Sequence, residues 1–329
     1  MIKIIKIEKL KGLEILFVFI VIFITFSIIT PNFLKVNNII NIVRQIATLG
    51  IASAAMAFPL LIGGIDLSVG FQISMVNVVC AWLMVNAGMH PVPAVIAAMI
   101  MCTLIGFFNG LIIVLTKVPA MIVTLGVMNI LTGISYMITG GLPIFGFPPS
   151  FKVIGQGTVF GLIPVSVIIM AVVFVLAQIV LTKTYFGRYF YAVGSNEEAS
   201  KLSGVNTDFI KILAHTICGF LTAISAIVLL SRTNSGQSSS GGTYIFDIVT
   251  ACVMGGVSIQ GGKGTMYNVV LGVLIVGMLK NGLILVGANA YTQLAVNGVL
   301  MLVAVIYDTL SRARGEKIRR SKAINADNS

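Results

Sequence analysis

VPAVIAAMIMCTLIGFFNGLIIVLT, residues 92–116, contains no charged side chain over its whole length. A helix needs about 20 mostly apolar residues to cross the hydrocarbon core of a bilayer, and this run is longer than that. It is not isolated, because apolar runs recur from Phe17 to Ile306. Over the whole chain of 329 residues, 57% are hydrophobic and only 9% charged, whereas soluble domains carry about 25% charged residues. Too few polar side chains exist to cover a soluble globule, so lipid is the solvent for most of the surface. This excludes a soluble enzyme, a disordered chain and a nucleic-acid-binding protein, despite the formal net charge of +11.

The same length criterion marks ten segments: 13–30, 44–62, 70–87, 92–116, 120–139, 163–183, 209–231, 244–259, 267–287 and 291–310. The third and eighth meet it least well. The expected fold is one all-α transmembrane bundle over residues 1–329, with about ten spans. Lys3, Lys6, Lys9 and Lys11 before the apolar run Ile15 to Ile29 have the outline of a signal peptide. Thr30-Pro31-Asn32 offers no small-x-small cleavage site, so the segment reads as a retained first span.

Lys and Arg collect on the cytoplasmic side of membrane proteins. With the N-terminus inside, sixteen of the 21 basic residues fall in cytoplasmic segments, including the basic tails 1–12 and 311–329. Four fall outside, Lys35, Arg44, Lys152 and Arg232, and Lys280 lies within a span. An even number of spans also lets both basic termini share the cytoplasm. Cys80, Cys102, Cys218 and Cys252 lie in apolar stretches without a CxxC pair, and read as small buried hydrophobes.

Two polar features interrupt the apolar pattern. The first is a loop over 187–208, in which Ser195 followed by Glu198 forms a capping box and Gly204 is a natural C-terminal stop. It predicts a helix of about two turns outside the membrane, either a plain surface helix or a rigid element that receives force from a soluble partner. Its residues are Gly187, Arg188, Gly194, Ser195, Asn196, Glu197, Glu198, Ala199 and Gly204.

The second is GGIDLSVG, in which Gly63, Gly64, Asp66, Ser68 and Gly70 are all awkward in a lipid-facing helix. Backbone that leaves helical geometry in a membrane must be shielded by protein or water, so a buried turn is expected. Asp66 either caps the following helix or belongs to a gate or hinge. A second glycine-rich break holds Gly255, Gly256 and Gly262. It imitates a phosphate-binding loop, but Gly262 separates Gly261 from Lys263 and Gly264 follows the lysine, so no ATP site is expected on this chain.

No acid, base and nucleophile grouping appears. His90 and His215 lack a carboxylate or cysteine at helical spacing and read as local hydrogen-bonding residues. Asn77, Asn109, Thr124, Asn129, Asn281, Gln293 and Asn297 lie within spans, where neutral amides and hydroxyls either line a path for an uncharged polyol or bridge helices. A self-contained secondary transporter or channel would need ion-coupling carboxylates or a filter, and neither is plain.

TPNF from Thr30, NNI…NI…RQ from Asn37 to Gln45, GGIDLSVG, VPAMIVTLG from Val118, GRYFYAVGSNEEASKLSGV from Gly187, GGVSIQGGKGT from Gly255 and LKNGL from Leu279 occur in this order. On these motifs the chain resembles the permeases of bacterial ABC sugar importers of the ribose, xylose, arabinose and galactose type, whose relatives include autoinducer-2 permeases. The likeness runs from about Thr30 to Asp308, while the stretch from Ser235 to Gly242, taken as a Ser-rich outer loop, and both tails look individual. The resemblance implies an inner-membrane permease, with alternating access driven by separate ATPase subunits that hold ATP and Mg, and no cofactor on this chain. It also implies a periplasmic or lipid-anchored sugar-binding protein, and a second permease subunit, with a homodimer favoured over a heterodimer. The motif from Gly187 to Gly204 matches that family's ATPase-docking loop.

Overall fold

The structure, a computed structural model, describes residues 2–327, and side chains over 15–310. The described residues form α1 (Ile2–Ile29), α2 (Val36–Leu61), α3 (Val69–Val85), α4 (Pro91–Thr116), α5 (Ala120–Thr139), α6 (Pro149–Gln156), β1 (Thr158–Val159) and β2 (Ile163–Pro164). They continue with α7 (Val165–Lys183), α8 (Tyr185–Ser195), α9 (Glu197–Leu202), α10 (Thr207–Thr233), α11 (Tyr244–Met254), α12 (Met266–Leu285) and α13 (Ala290–Asp327). The basic side chains of the tails lie outside the described side chains.

Each of the ten apolar segments falls on a helix. Seven are long and apolar enough to cross a membrane, while Ile15–Ile29, α3 and α11 are shorter apolar helices. The third and eighth segments are thus shorter than a span, as α11 with 11 residues rises only about 16 Å. The eighth segment was expected over 244–259, but the helix stops at Met254 because the chain turns at Gly255 and Gly256, the latter at φ +74.

α10 is the centre of the bundle and packs against α2, α3, α4 and α6. Its contact with α4 is backbone on backbone. A Cβ on Gly106 would lie 2.3 Å from the His215 carbonyl oxygen, one on Gly110 2.7 Å from Ile212 Cα, and one on Gly219 2.5 Å from the Cys102 carbonyl oxygen. Where lipid removes the hydrophobic drive between helices, such close approach gains dispersion contacts instead. At the opposite extreme, α5 buries only Thr124, Leu131 and Ser135, and exposes Met121, Ile122, Leu125 and Ile130, a face suited to lipid or another apolar surface.

The loops separate to two ends of the bundle. At one, loop 62–68, α8 with α9, and turn 255–265 meet. At the other, α6 and the β1–β2 hairpin adjoin the C-terminal end of α10, where Gly155 N donates to Ser231 Oγ at 2.8 Å.

The segment 235–243 is not an outer loop. It runs back into the bundle along α3, with Ser235, Gly236, Ser238 and Gly241 buried. Its polar groups are answered one by one: Gly236 exchanges two backbone bonds with Ile144 at 2.9 Å, and Ser238 Oγ donates to the Ser135 carbonyl at 3.0 Å. Gly241 N donates to Ser74 Oγ at 2.8 Å. Its glycines are steric necessities, since a Cβ at Gly241 would stand 1.5 Å from the Gly70 carbonyl oxygen. This segment, largely a run of turns, leads directly into α11.

Gly106→Val should destabilise the protein by about 3 kcal/mol, because the added side chain must push α10 backbone away. Thermal unfolding in a fixed detergent micelle checks this, and an unchanged midpoint would show that the α4–α10 contact is looser than described.

Candidate functional site

Asp66 is fully buried in loop 62–68. Its Oδ1 accepts from Ser68 N at 3.0 Å and from Ser68 Oγ at 2.5 Å. On the other side, Oδ2 lies 3.1 Å from His215 Nδ1 on α10 and 3.4 Å from Asn109 Nδ2 on α4. A carboxylate only accepts, so Nδ1 is the ring nitrogen that carries the shared proton. Asn109 Nδ2 and Gln72 Nε2 both donate to Ser68 Oγ, at 3.0 and 2.8 Å. Thr124 on α5 closes the loop by accepting from Leu67 N at 3.1 Å and donating to the Ile65 carbonyl at 3.2 Å.

Asp66 therefore does more than cap: α3 begins at Val69, with Ser68 at its cap position, and the carboxylate ties the helix break to α4 and α10. The expectation that His215 bonds only locally is corrected, because its partner lies 149 positions away in sequence.

A knot of close backbone contacts joins this break to the predicted docking loop. Gly262 N donates to the Leu61 carbonyl at 2.8 Å. A Cβ on Gly194 would lie 1.8 Å from that same carbonyl oxygen and 2.5 Å from Gly262 N. A Cβ on Gly63, which sits at φ +79, would lie 3.3 Å from the Gln260 carbonyl oxygen. The two glycine-rich breaks, separate in sequence, are thus one junction with Gly194 between them. Gly70 and Gly255 sit apart from it, against Gly241 and Asn268.

The loop expected to dock a partner is a helix pair, α8 and α9, rather than a single capped helix. α8 carries the fully buried Phe190, whose ring meets Phe58 of α2 edge-on at 5.6 Å. Asn196, not Ser195, caps α9, accepting from Ala199 N at 2.9 Å, since Ser195 closes α8. Gly204 at φ +83 ends the element, as its position predicts. Glu197 pairs with Lys211 of α10 at 2.5 Å. Glu198 is exposed, and Leu202 at the end of α9 is 90% exposed.

At the other end lies a polar cavity of about 420 Å³ lined by Asn41, Arg44, Gln45, Gly155, Gln156 and Arg232. A smaller cavity of about 210 Å³ adjoins it, sharing Gln45 and Arg232 and adding Tyr244, Asp247 and Lys280. Lys280 Nζ pairs with the buried Asp247 at 2.7 Å, and Asn297 also donates to that carboxylate. The lysine inside an apolar segment is thereby accounted for. Arg232 donates to Tyr244 Oη at 3.1 Å, and Arg44 to the Gln156 carbonyl at 3.3 Å.

The seven amide and hydroxyl candidates for a pathway do not converge. Asn109 and Thr124 hold the Asp66 loop. Asn281 exchanges two 3.0 Å amide bonds with Asn38, clamping α12 to α2. Gln293 donates to the Ala288 carbonyl at 3.0 Å, and Asn129 is exposed on α5. Asn77 is fully buried, and neither amide atom has a partner among the described residues. Only Asn297 touches the cavity wall, through Asp247.

Known proteins fit this architecture. The family described as branched-chain amino acid transport system / permease component matches residues 38–305. The ribose import permease protein RbsC of Haemophilus influenzae is 40% identical over 86% of this chain and 88% of its own. RbsC of Bacillus subtilis is 38% identical over the same shares. The L-arabinose transport system permease protein AraH of Escherichia coli is 35% identical over 89% of each chain. No solved structure matches.

Replacing one partner of a buried ion pair typically costs about 3–5 kcal/mol. Asp66→Ala should lie in that range, and Asp66→Ala with His215→Ala should fall short of the sum of the single effects by about 1–3 kcal/mol. Unfolding midpoints of the four proteins in one micelle measure this coupling; additive losses would show that the pair contributes no energy of its own.

Proposed function

This chain belongs to the branched-chain amino acid transport system / permease component family, and from that premise we propose that it is the membrane-spanning permease of an ATP-driven, binding-protein-dependent importer. Its cargo is a small sugar-like solute, moved across a bacterial inner membrane by alternating access. The observation that carries this reading is identity of 35–40% to ribose and arabinose permeases over most of both chains. The partners are separate ATPase subunits, which bind ATP and Mg, a binding protein outside, and a second copy of this chain. The chain itself carries no cofactor, and its termini lie in the cytoplasm.

The docking end supplies a route for force. α9 offers Glu198 and Leu202 to a soluble partner, and α8 behind it is wedged against α2 by Phe190 on Phe58. Gly194 lets α8 sit directly on the Leu61 carbonyl and Gly262, so displacement of α9 passes to α2 and turn 255–265 without a flexible side chain between. The Lys211–Glu197 pair ties α9 to α10 as well. As an exposed ion pair it adds only about 0–1 kcal/mol, so it guides position more than it holds.

Glu198→Lys with Leu202→Asp should leave the permease folded in the membrane and abolish ATP-driven uptake, with the ATPase lost on gentle purification. Retention of a stoichiometric ATPase by this variant would remove α9 from the docking surface. The alternative outcome, in which the wild-type chain never retains an ATPase, would argue for a self-contained transporter.

A further inference from the structure

Six of the seven amide and hydroxyl candidates for a pathway are buried or hydrogen-bonded within the subunit. Asn129 of α5 is neither: it is exposed, and its side-chain amide has no partner among the described residues. It stands at the midpoint of a 20-residue helix that carries no charged side chain and is apolar enough to cross a membrane. That position puts the amide near the middle of the hydrocarbon layer. Lipid tails offer an amide neither a donor nor an acceptor, so a polar group turned outward at this depth is costly and calls for a partner.

The helix presents two opposed faces. Thr124, Leu131 and Ser135 make the buried one. With about 100° between successive residues, Ile122, Gly126, Asn129 and Gly133 fall together on the opposite side, and all four are exposed. A Cβ on Gly126 or Gly133 would meet nothing within 4 Å, so neither glycine serves packing inside the subunit. The glycines between α4 and α10, by contrast, each meet another backbone. On α5 they leave room for a backbone from outside to approach, with the amide between them.

Charge complementarity selects that neighbour. An amide carries both a donor and an acceptor, so a second amide related to it by a two-fold axis satisfies both. Copies of one chain enter the membrane the same way round, because the same basic segments stay in the cytoplasm. The axis therefore runs along the membrane normal and equal depths meet, which sets Asn129 of one copy towards Asn129 of the other.

We propose that this face of α5 receives the second copy and that the solute passes between the two faces, each copy contributing its Asn129 to one central site. The site is incomplete in a single copy. Its walls at this depth are an amide, two glycines and Ile122 from each side, uncharged throughout, and the paired amides offer donors and acceptors to the hydroxyls of a neutral solute. The back of the helix ties it to loop 62–68, through Thr124 bonded to Leu67 N at 3.1 Å and to the Ile65 carbonyl at 3.2 Å. Displacement of that loop carries the path-lining helix with it. The assignment rests on the importer reading.

The test uses the permease purified with its ATPase in nanodiscs, with single cysteines added at Asn129→Cys, at Gly133→Cys on the same face, and at Val175→Cys on the exposed side of α7. The four native cysteines are buried, and the wild-type chain is the blank. Oxidation should link two copies through position 129 or 133, read as a covalent dimer on a non-reducing gel, and should not link them through 175. Asn129→Cys should also react at least about tenfold faster than Val175→Cys with a charged, water-soluble thiol reagent, since the reactive thiolate forms only where water reaches it. An ATPase-bound complex in which neither 129 nor 133 links would place the second subunit elsewhere and overturn the surface while leaving the importer reading intact. Linking without faster labelling would make the face a closed contact and overturn the path, and neither linking nor labelling would assign the face to lipid. A chain that purifies without any ATPase would count against the importer reading itself.

Discussion

Every backbone amide and carbonyl that leaves helical geometry in an apolar surrounding must find its partner inside the protein. Much of this structure follows from that constraint. Three stretches break helical geometry within the bundle, 62–68, 235–243 and 255–265, and each is lined with glycine where another backbone comes within contact distance. Gly241 against Gly70, Gly194 against Leu61 and Gly261 against Gly63 are approaches that no side chain could share. The partners are then hydroxyls and carbonyls of neighbouring helices, such as Ser74, Ser135 and Thr124. An unsatisfied group of this kind costs several kcal/mol in hydrocarbon, so the breaks and the helices around them form together.

Two kinds of charge coexist in this frame, the buried Asp66 and the half-exposed Arg44 and Arg232, and they are treated differently. Asp66 is surrounded by donors from two helices, α4 and α10, besides its own loop partner Ser68. Its position resists change because removing any one partner leaves another exposed to low dielectric. Arg44 and Arg232 are anchored only through neutral oxygens, and their charge is left open to the cavity. The first arrangement fixes a joint in the fold. The second leaves two half-exposed guanidinium groups at the end of the bundle, each tethered through one neutral oxygen.

The sequence displays what is local and periodic. All ten apolar segments lie on helices, because an uninterrupted apolar run has few other ways to satisfy its backbone in lipid. The short helix after Gly187 is legible for the same reason: Gly204 ends α9 where a left-handed residue is needed, although the cap shifts from Ser195 to Asn196 because Ser195 still belongs to α8. What is not legible is long-range. Asp66 meets His215 across 149 positions. The Ser-rich stretch 235–243 has the composition of a solvated loop, yet Ser238 is bonded to α5, Gly241 N to α3 and Gly236 to Ile144. Arg44 and Arg232 look like loop charges, since a count of basic residues reports sidedness and says nothing about which of them share a wall.

The geometry also links the two ends. α2 runs from the cavity at Arg44 and Gln45 to the glycine junction at Leu61, a shaft of roughly 26 Å at 1.5 Å per residue. Pro59, the proline within this helix, lies in its last turn, so the one bond it removes, to the Ala55 carbonyl, is at the junction end and the rest of the shaft is uninterrupted. α10 spans the same interval from Lys211, paired with α9, to Arg232 at the cavity, about 32 Å on the same measure. Each arginine therefore stands at the far end of a helix whose near end touches the α8–α9 pair. A tilt of α2 against α10 at the junction changes the separation of the two guanidinium groups at the other end.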